Sequence, residues 1–204
     1  GPAASGKSTV SKAVAKKLGY LYVDSGALYR IVTWLALEAG VDTSVPQKIA
    51  DFSKAVHVDF VVKDCRVAYE VRGEEPGDRI RTPEINSHVS PVSAVPEVRA
   101  LVTGWLRDMR KLGDLIVEGR DIGSVVYPDS SYRFYLDADP DERTRRRLVE
   151  DVAKGFADKD SQDKVKASLM NRDRIDSTRK TAPLVVPAGA ARIDTTSMSV
   201  EQVV

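Results

Sequence analysis

The feature that most constrains this chain stands at its start. Gly1-Pro2-Ala3-Ala4-Ser5-Gly6-Lys7-Ser8-Thr9 runs straight into apolar residues at helical spacing, Val10, Ala13, Val14 and Leu18, and then into a stop at Gly19. Two glycines with four residues between them let the backbone turn tightly enough for consecutive N–H groups to point inward. A helix that begins there adds its positive N-terminal end to the same nest. A lysine beside such a nest reaches the outer phosphates of a nucleotide, and the hydroxyl after it suits Mg²⁺, a hard ion that keeps phosphate and water oxygens as its other ligands. Gly1, Pro2, Ala3, Ala4, Ser5, Gly6, Lys7, Ser8 and Thr9 are therefore expected to bind ATP, with Ser8 as the Mg²⁺ ligand. Such a loop ordinarily follows a strand. None precedes Gly1, so the chain is expected to begin inside a longer protein.

Beyond the first helix, Tyr20-Leu21-Tyr22-Val23 predicts a short strand whose end, Asp24-Ser25-Gly26, is turn-forming and lies where parallel sheets keep ligands. Leu28, Ile31, Val32, Leu35 and Ala39 predict a helix over 27–39, stopped by Gly40. Val58, Phe60, Val62 and then Val67, Tyr69, Val71 alternate around Lys63-Asp64, which predicts a hairpin. Pro83 and Pro96 mark the first turns of two more helices, the second reaching about 111 with Val98, Leu101, Val102, Trp105 and Met109 on one face. Leu115-Ile116-Val117 and Phe134-Tyr135-Leu136 read as buried parallel strands of one central sheet. A charged helical stretch follows over 140–176, bracketed by Gly155 and Gly189. Arg192-Ile193-Asp194-Thr195 then reads as a last strand before a helix near Ser199. Alternating strands and helices of this kind define an α/β fold around a parallel sheet.

Composition narrows the partners. With 31 Lys+Arg against 30 Asp+Glu the net charge is +1, so no global field recruits nucleic acid or an anionic membrane, and neither is expected as a partner. Cys65 stands alone, which rules out an internal disulfide and a Cys-based metal cluster. It is expected to be a small buried filler in a reducing cytosol. His57 and His88 lie far apart and carry no ligand spacing. No apolar run has membrane-spanning length, and a cytoplasmic protein is expected.

A phosphate loop by itself serves kinases, switches and motors alike, and the arginines separate them. Moving a γ-phosphoryl group needs positive charge over the migrating group and a second clamp on the acceptor. Arginine suits both tasks because its planar fork pairs with phosphate oxygens and stays charged. Arg30 follows Ser25-Gly26, Arg120 lies in Glu118-Gly119-Arg120-Asp121, and Arg172 and Arg179 flank Asp176. Four such arginines point to a second, phosphate-bearing substrate. Glu118, directly after a strand, stands where a carboxylate would hold a metal-bound water in an outer shell.

Taken in order, residues 1–9, Asp24-Ser25-Gly26-Ala27-Leu28-Tyr29-Arg30, Ile80-Arg81-Thr82, Glu118-Gly119-Arg120-Asp121-Ile122-Gly123, Tyr127-Pro128-Asp129 and Ala182-Pro183-Leu184 resemble the bacterial cytidylate kinases of the nucleoside monophosphate kinase superfamily. The resemblance implies a single phosphate-loop kinase domain over 1–204, a three-layer α/β/α fold with a central parallel sheet. Its core would be 1–26, 112–146 and 180–204, with a monophosphate-binding insertion at about 27–111 and a short lid at about 147–179. It implies Mg²⁺-dependent transfer from ATP to CMP or dCMP without a covalent intermediate, and a monomer is expected. Lys7, Arg120, Arg172 and Arg179 would be catalytic. Ser25, Arg30 and Arg120 would hold the CMP phosphate, with Arg179 near the phosphates on closure. Arg172 and Asp176 would contact the sugar, and Ser90, Arg99 and Asp121 the cytosine. Ile175 and Ser177 depart from relatives that carry extra lid charges there.

The cytosine assignment has its own physical logic. Cytosine shows an amine donor beside ring acceptors, so a carboxylate and an arginine or serine read its edge, whereas uracil reverses the pattern. Two other readings stay open: Asp121 as an ion-pair partner that orients Arg120 or Arg99, and Ser90, before Pro91, as a turn-shaping residue. A kinase for another acceptor such as UMP is the nearest alternative function. A switch-type binding module is the distant one, and no Asn-Lys-x-Asp guanine-reading motif supports it.

Overall fold

Helix α1, Lys7–Leu18, starts on the lysine of the loop and ends where Gly19 takes a φ of +72°, as its sequence predicts. Its buried face differs from the expected one. Val10 and Ala15 are buried, whereas Leu18 is 54% exposed beside Lys16 and Lys17 in the last turn. This computed structural model describes residues 1–204 and divides them into two compact units, Ser11–Gly119 and a second made of Gly1–Val10 with Arg120–Val204.

In the unit Ser11–Gly119, strand β1 (Leu21–Asp24) feeds directly into α2 (Ser25–Glu38). The turn expected at Asp24-Ser25-Gly26 is the helix start itself, because the Asp24 side chain accepts from the Ala27 N–H at 3.0 Å and caps the first turn. Leu28, Ile31 and Val32 of α2 are fully buried. Helix α3 (Pro46–Ser53) leads to the predicted hairpin of β2 (Asp59–Lys63) and β3 (Arg66–Glu70), antiparallel with Val61 opposite Ala68. Its two-residue turn is Asp64-Cys65, with φ of 45° and 57°, a geometry matched to strand twist. Cys65 is therefore exposed at a hairpin tip and not the buried filler expected of it.

Helices α4 (Pro83–Ala94) and α5 (Pro96–Asp108) open on the predicted prolines, and Thr82 caps α4. Pro91 lies inside α4, so Ser90 is a helical residue and the turn-shaping reading does not hold. The buried stripe of α5 is Val98, Val102 and Leu106, continued by Met109. Leu101 and Trp105 lie at its margin, where Trp105 meets Phe60 edge-on at 5.9 Å. Strand β4 (Leu115–Glu118) completes a four-stranded sheet of order β2-β3-β1-β4, in which β1 runs parallel to both neighbours.

In the other unit, a short π-turn at Ile122–Val126 precedes β5 (Phe134–Asp137), which pairs in parallel with β6 (Ala191–Asp194). Between them lie α6 (Pro140–Ala153), capped by Asp139, and α7 (Gln162–Thr178). The last element, α8 (Val200–Val203), carries a capping box of Ser199 and Gln202. The α/β class with mostly parallel pairing is as expected. The central, mostly parallel sheet is as expected in the unit Ser11–Gly119, and the other unit carries its own parallel pair, β5 with β6.

On α6, Glu142 receives Arg145 at 2.7 Å and Arg146 at 2.8 Å. Their hydrogen bonds outweigh its partial desolvation and hold its carboxyl at about 2, well below its ordinary value. A carboxylate held low stabilises the fold above its unfolded value and loses that contribution as pH falls through the folded one. Glu142→Gln should therefore show a shallower loss of Tm than the native chain between about pH 4.5 and about pH 2, measured by thermal melts across that window.

Candidate active site

The phosphate loop is held by its surroundings in the unit that contains it. A Cβ on Gly1 would overlap the carbonyl oxygen of Leu136 in β5 and meet Ser5 Oγ at 3.3 Å, so only glycine fits against that strand. Ala4 and Gly6 adopt φ of 57° and 85°, the left-handed turns that curl the backbone around an anion. Ser5 Oγ donates to the Pro2 carbonyl at 3.1 Å. Lys7 Nζ donates to the same carbonyl and lies 3.4 Å from Ser5 Oγ, so its charge sits over the loop. Thr195, just past β6, brings its hydroxyl to 3.2 Å from the Ser5 carbonyl and accepts from Arg146 Nη1 at 3.0 Å.

Ser8 presents a hard oxygen on the exposed first turn of α1, which fits an ion that retains most of its water. No group of three His, Cys, Asp or Glu side chains stands together to hold a metal ion.

Three of the predicted residues meet in the same unit. Arg120 Nε lies 3.0 Å from one oxygen of Asp176, and Arg179 Nη1 lies 3.4 Å from the other. One buried carboxylate thus holds two guanidiniums. Arg172 stands one turn before Asp176 on α7, half-buried. Asp121 is almost completely buried, and its carbonyl accepts the Val126 N–H at 3.3 Å, the five-residue bond that opens the π-turn. Arg120 takes its orientation from Asp176, a partner the sequence did not suggest for it.

The other unit carries the remaining predicted residues. Ser25 Oγ donates to the Glu118 carbonyl at 2.7 Å, across the β1–β4 pairing that sets Asp24 opposite Glu118. The Glu118 carboxylate accepts from Tyr22 Oη at 3.2 Å. Arg30 Nη1 donates to the Ile80 carbonyl at 3.2 Å. Ser90 and Arg99 come together at the α4–α5 corner through Ser93, whose hydroxyl donates to the Ser90 carbonyl at 3.0 Å and whose carbonyl accepts Arg99 Nη1 at 2.9 Å. The Arg99 guanidinium stacks 5.1 Å above the Tyr29 ring.

Sequence reasoning missed two charged pairs. Arg81 Nη2 donates to Asp24 at 2.9 Å; burial would depress the guanidinium, but the Asp24 charge and hydrogen bond outweigh it and hold the value raised. Arg81 is the centre of the Ile80-Arg81-Thr82 motif, which is the sequence signal for this pair. Arg143 on α6 pairs with Asp173 on α7, and both touch the Ala3 peptide.

A glycine-pinned phosphate loop on a helix, mostly parallel strands and buried arginine–carboxylate clusters define a phosphate-loop α/β nucleotide-binding protein. The family model for cytidylate kinase matches residues 1–204. The chain is 39% identical over 204 residues to a cytidylate kinase of Limosilactobacillus fermentum, covering 100% of this chain and 89% of that protein. It is 41% identical to a cytidylate kinase of Clostridioides difficile over 204 residues, 100% of this chain and 92% of that protein. A bifunctional pantoate ligase/cytidylate kinase of Synechococcus matches at 42% over 205 residues, where all of this chain spans 42% of the longer protein. The chain belongs to the cytidylate kinase family.

The contact of Gly1 with the β5 carbonyl sets an expectation. Gly1→Ala should force loop and strand apart at a cost of about 1–3 kcal/mol, lowering Tm and weakening ATP binding at least about tenfold by calorimetry.

Proposed function

We propose that this chain transfers the γ-phosphoryl group of ATP to the phosphate of CMP or dCMP, releasing ADP and CDP or dCDP. The observation that carries the reading is the pairing of Arg120 and Arg179 on Asp176, in the same compact unit as the phosphate loop of a full-length cytidylate kinase match. A kinase of phosphate acceptors needs such a second cationic cluster, and a switch protein does not.

In this reading the loop residues 1–9 cradle the ATP phosphates, and Lys7 exchanges the Pro2 carbonyl for phosphate oxygens. Arg120, Arg172 and Arg179 stabilise the charge that spreads over the migrating group, while Ser25, Arg30 and Arg120 hold the acceptor phosphate in line. No general base is needed, because the acceptor oxygen is already anionic at neutral pH. Mg²⁺ arriving with ATP would neutralise charge on its phosphates, with the Ser8 hydroxyl as a ligand and Glu118 supporting its water shell. Arg172 and Asp176 address the sugar.

Asp121 accepts from the cytosine amine, and Ser90 and Arg99 serve its acceptor edge. Support comes from the burial of all three and from the meeting of Ser90 with Arg99 at one corner. The chain works as a monomeric cytoplasmic kinase on small nucleotides, with 27–111 as its monophosphate-binding insertion and 147–179 as its lid region. No helix is long and apolar enough to cross a membrane.

Two measurements test this function. Lys7→Met should keep the native Tm and lose at least about a hundredfold in kcat, the scale of one preorganised charge contact; near-native turnover would remove Lys7 from the chemistry. Asp121→Ala forfeits a hydrogen bond to a charged group, about 1.5–3 kcal/mol, so kcat/KM for CMP should fall about ten- to a hundredfold or somewhat more. UMP should lose less, since the carboxylate no longer opposes its O4. The readout is the CMP/UMP ratio of kcat/KM, by ADP release, in both proteins. An equal loss for the two substrates would make Asp121 a structural partner, and a native preference for UMP would sink the cytidylate reading.

A further inference from the structure

Helix α7 carries one continuous stripe of four residues, Val165, Leu169, Asp173 and Asp176, at the spacing that places them on a single face. Each has a defined contact within the unit that holds the phosphate loop. Val165 and Leu169 are buried against Ala3, with Ala4 and Leu148 of α6 at the edge of that cluster. Asp173 accepts the Ala3 N–H at 3.1 Å. Asp176 holds Arg120 and Arg179. The apolar anchor is unexpected, since the sequence of this region reads as a charged lobe with little to pack.

The Ala3 peptide is gripped on both sides. Its N–H goes to Asp173, and its carbonyl accepts Arg143 Nη1 at 3.2 Å. Arg143 also pairs with Asp173, and its Nε donates to the Ala138 carbonyl at 3.1 Å, at the entry to α6. Arg143 is 8% exposed and the Asp173 side chain 17% exposed, so the pair is shielded from competing water. An ion pair that closes around one peptide group orients the plane of that peptide. The next residue, Ala4, is the one at φ of 57° where the loop turns over.

We propose that Arg143 and Asp173 are positioning residues for phosphoryl transfer: they clamp the Ala3 peptide of the phosphate loop to α7, so that the loop and the Arg120–Asp176–Arg179 cluster keep one fixed register. The proposal rests on the kinase reading of the loop. Neither residue touches a reacting atom. Asp173 lies about one helical turn from Asp176, and a rigid turn transmits an ångström-scale shift of the loop to the arginine pair, or the reverse. In-line transfer depends on that register, because misplacement by about 1 Å can cost about a hundredfold in rate.

The test compares the native chain with Asp173→Ala and Asp173→Asn. Calorimetry reads Kd for the non-hydrolysable adenosine 5′-(β,γ-imido)triphosphate, ADP release reads kcat and KM, and thermal melts read Tm. Asp173→Ala should raise Kd about threefold or more and lower kcat about ten- to a hundredfold, while KM for CMP changes less than kcat, because Ser25 and Arg30 hold the acceptor from outside the clamp. Asp173→Asn keeps an acceptor for the Ala3 N–H but loses the charge that holds Arg143, so it should fall between native and Asp173→Ala. A folded Asp173→Ala protein with native Kd and native kcat, altered in Tm alone, overturns the proposal. Should Asp173→Ala fail to fold, Asp173→Asn decides on the same criterion, native Kd and kcat again overturning it. A native chain that binds the analogue but releases no ADP in response to CMP would sink the kinase reading, and the Kd comparison would still judge the clamp.

Discussion

A loop curled tightly enough to aim amides at an anion leaves much of its backbone for other elements to satisfy, and the rest of this site follows from that constraint. Amides turned inward leave carbonyls turned outward, and each buried carbonyl needs a donor from elsewhere. The Pro2 carbonyl takes Ser5 and Lys7, the Ala3 carbonyl takes Arg143, and the Ser5 carbonyl takes Thr195. Arg143 comes from α6 and Thr195 follows β6, so two elements on either side of the loop exist partly to supply those hydrogen bonds. The overlap that any side chain at Gly1 would make with Leu136 is the steric face of the same arrangement.

Charge is managed in a matching way. Buried guanidiniums are costly unless a carboxylate or phosphate pairs with them. Asp176 keeps Arg120 and Arg179 oriented, and Asp24 does the same for Arg81. This local pairing reconciles a net charge of only +1 with a protein whose ligands are polyanions. Exposed pairs such as Glu142 with Arg145 serve the helix surface and lie outside this logic.

Short-range patterns were legible where one physical cause dominates. Proline at N1 marked α4 and α5, alternation marked the β2–β3 hairpin, and glycine in the left-handed region closed α1. Errors arose where burial depended on a neighbour. Cys65 has the size of a core residue but sits in a two-residue turn, and Leu18 fits the helical period but lies on a largely exposed face. Ser90 before Pro91 looks like a turn, yet α4 continues through it. Which strands pair was not legible either, because each strand carries the same apolar signal whichever neighbour it bonds.

By itself the sequence determined the phosphate loop, the α/β alternation, the family and the residue types available for phosphate and base recognition. It could do so because the loop pattern and the helix and strand periods are interactions within about ten residues of chain. Tertiary structure alone decided the partners. Asp176 meets Arg120 across 56 residues, Asp173 meets the Ala3 amide across 170, and Thr195 meets the Ser5 carbonyl across 190. Any of the 30 acidic residues could have paired with Arg120 on charge alone. The choice fell to Asp176 because α7 packs its Val165 and Leu169 stripe on Ala3, and the helical repeat then carries the carboxylates of that face to fixed positions.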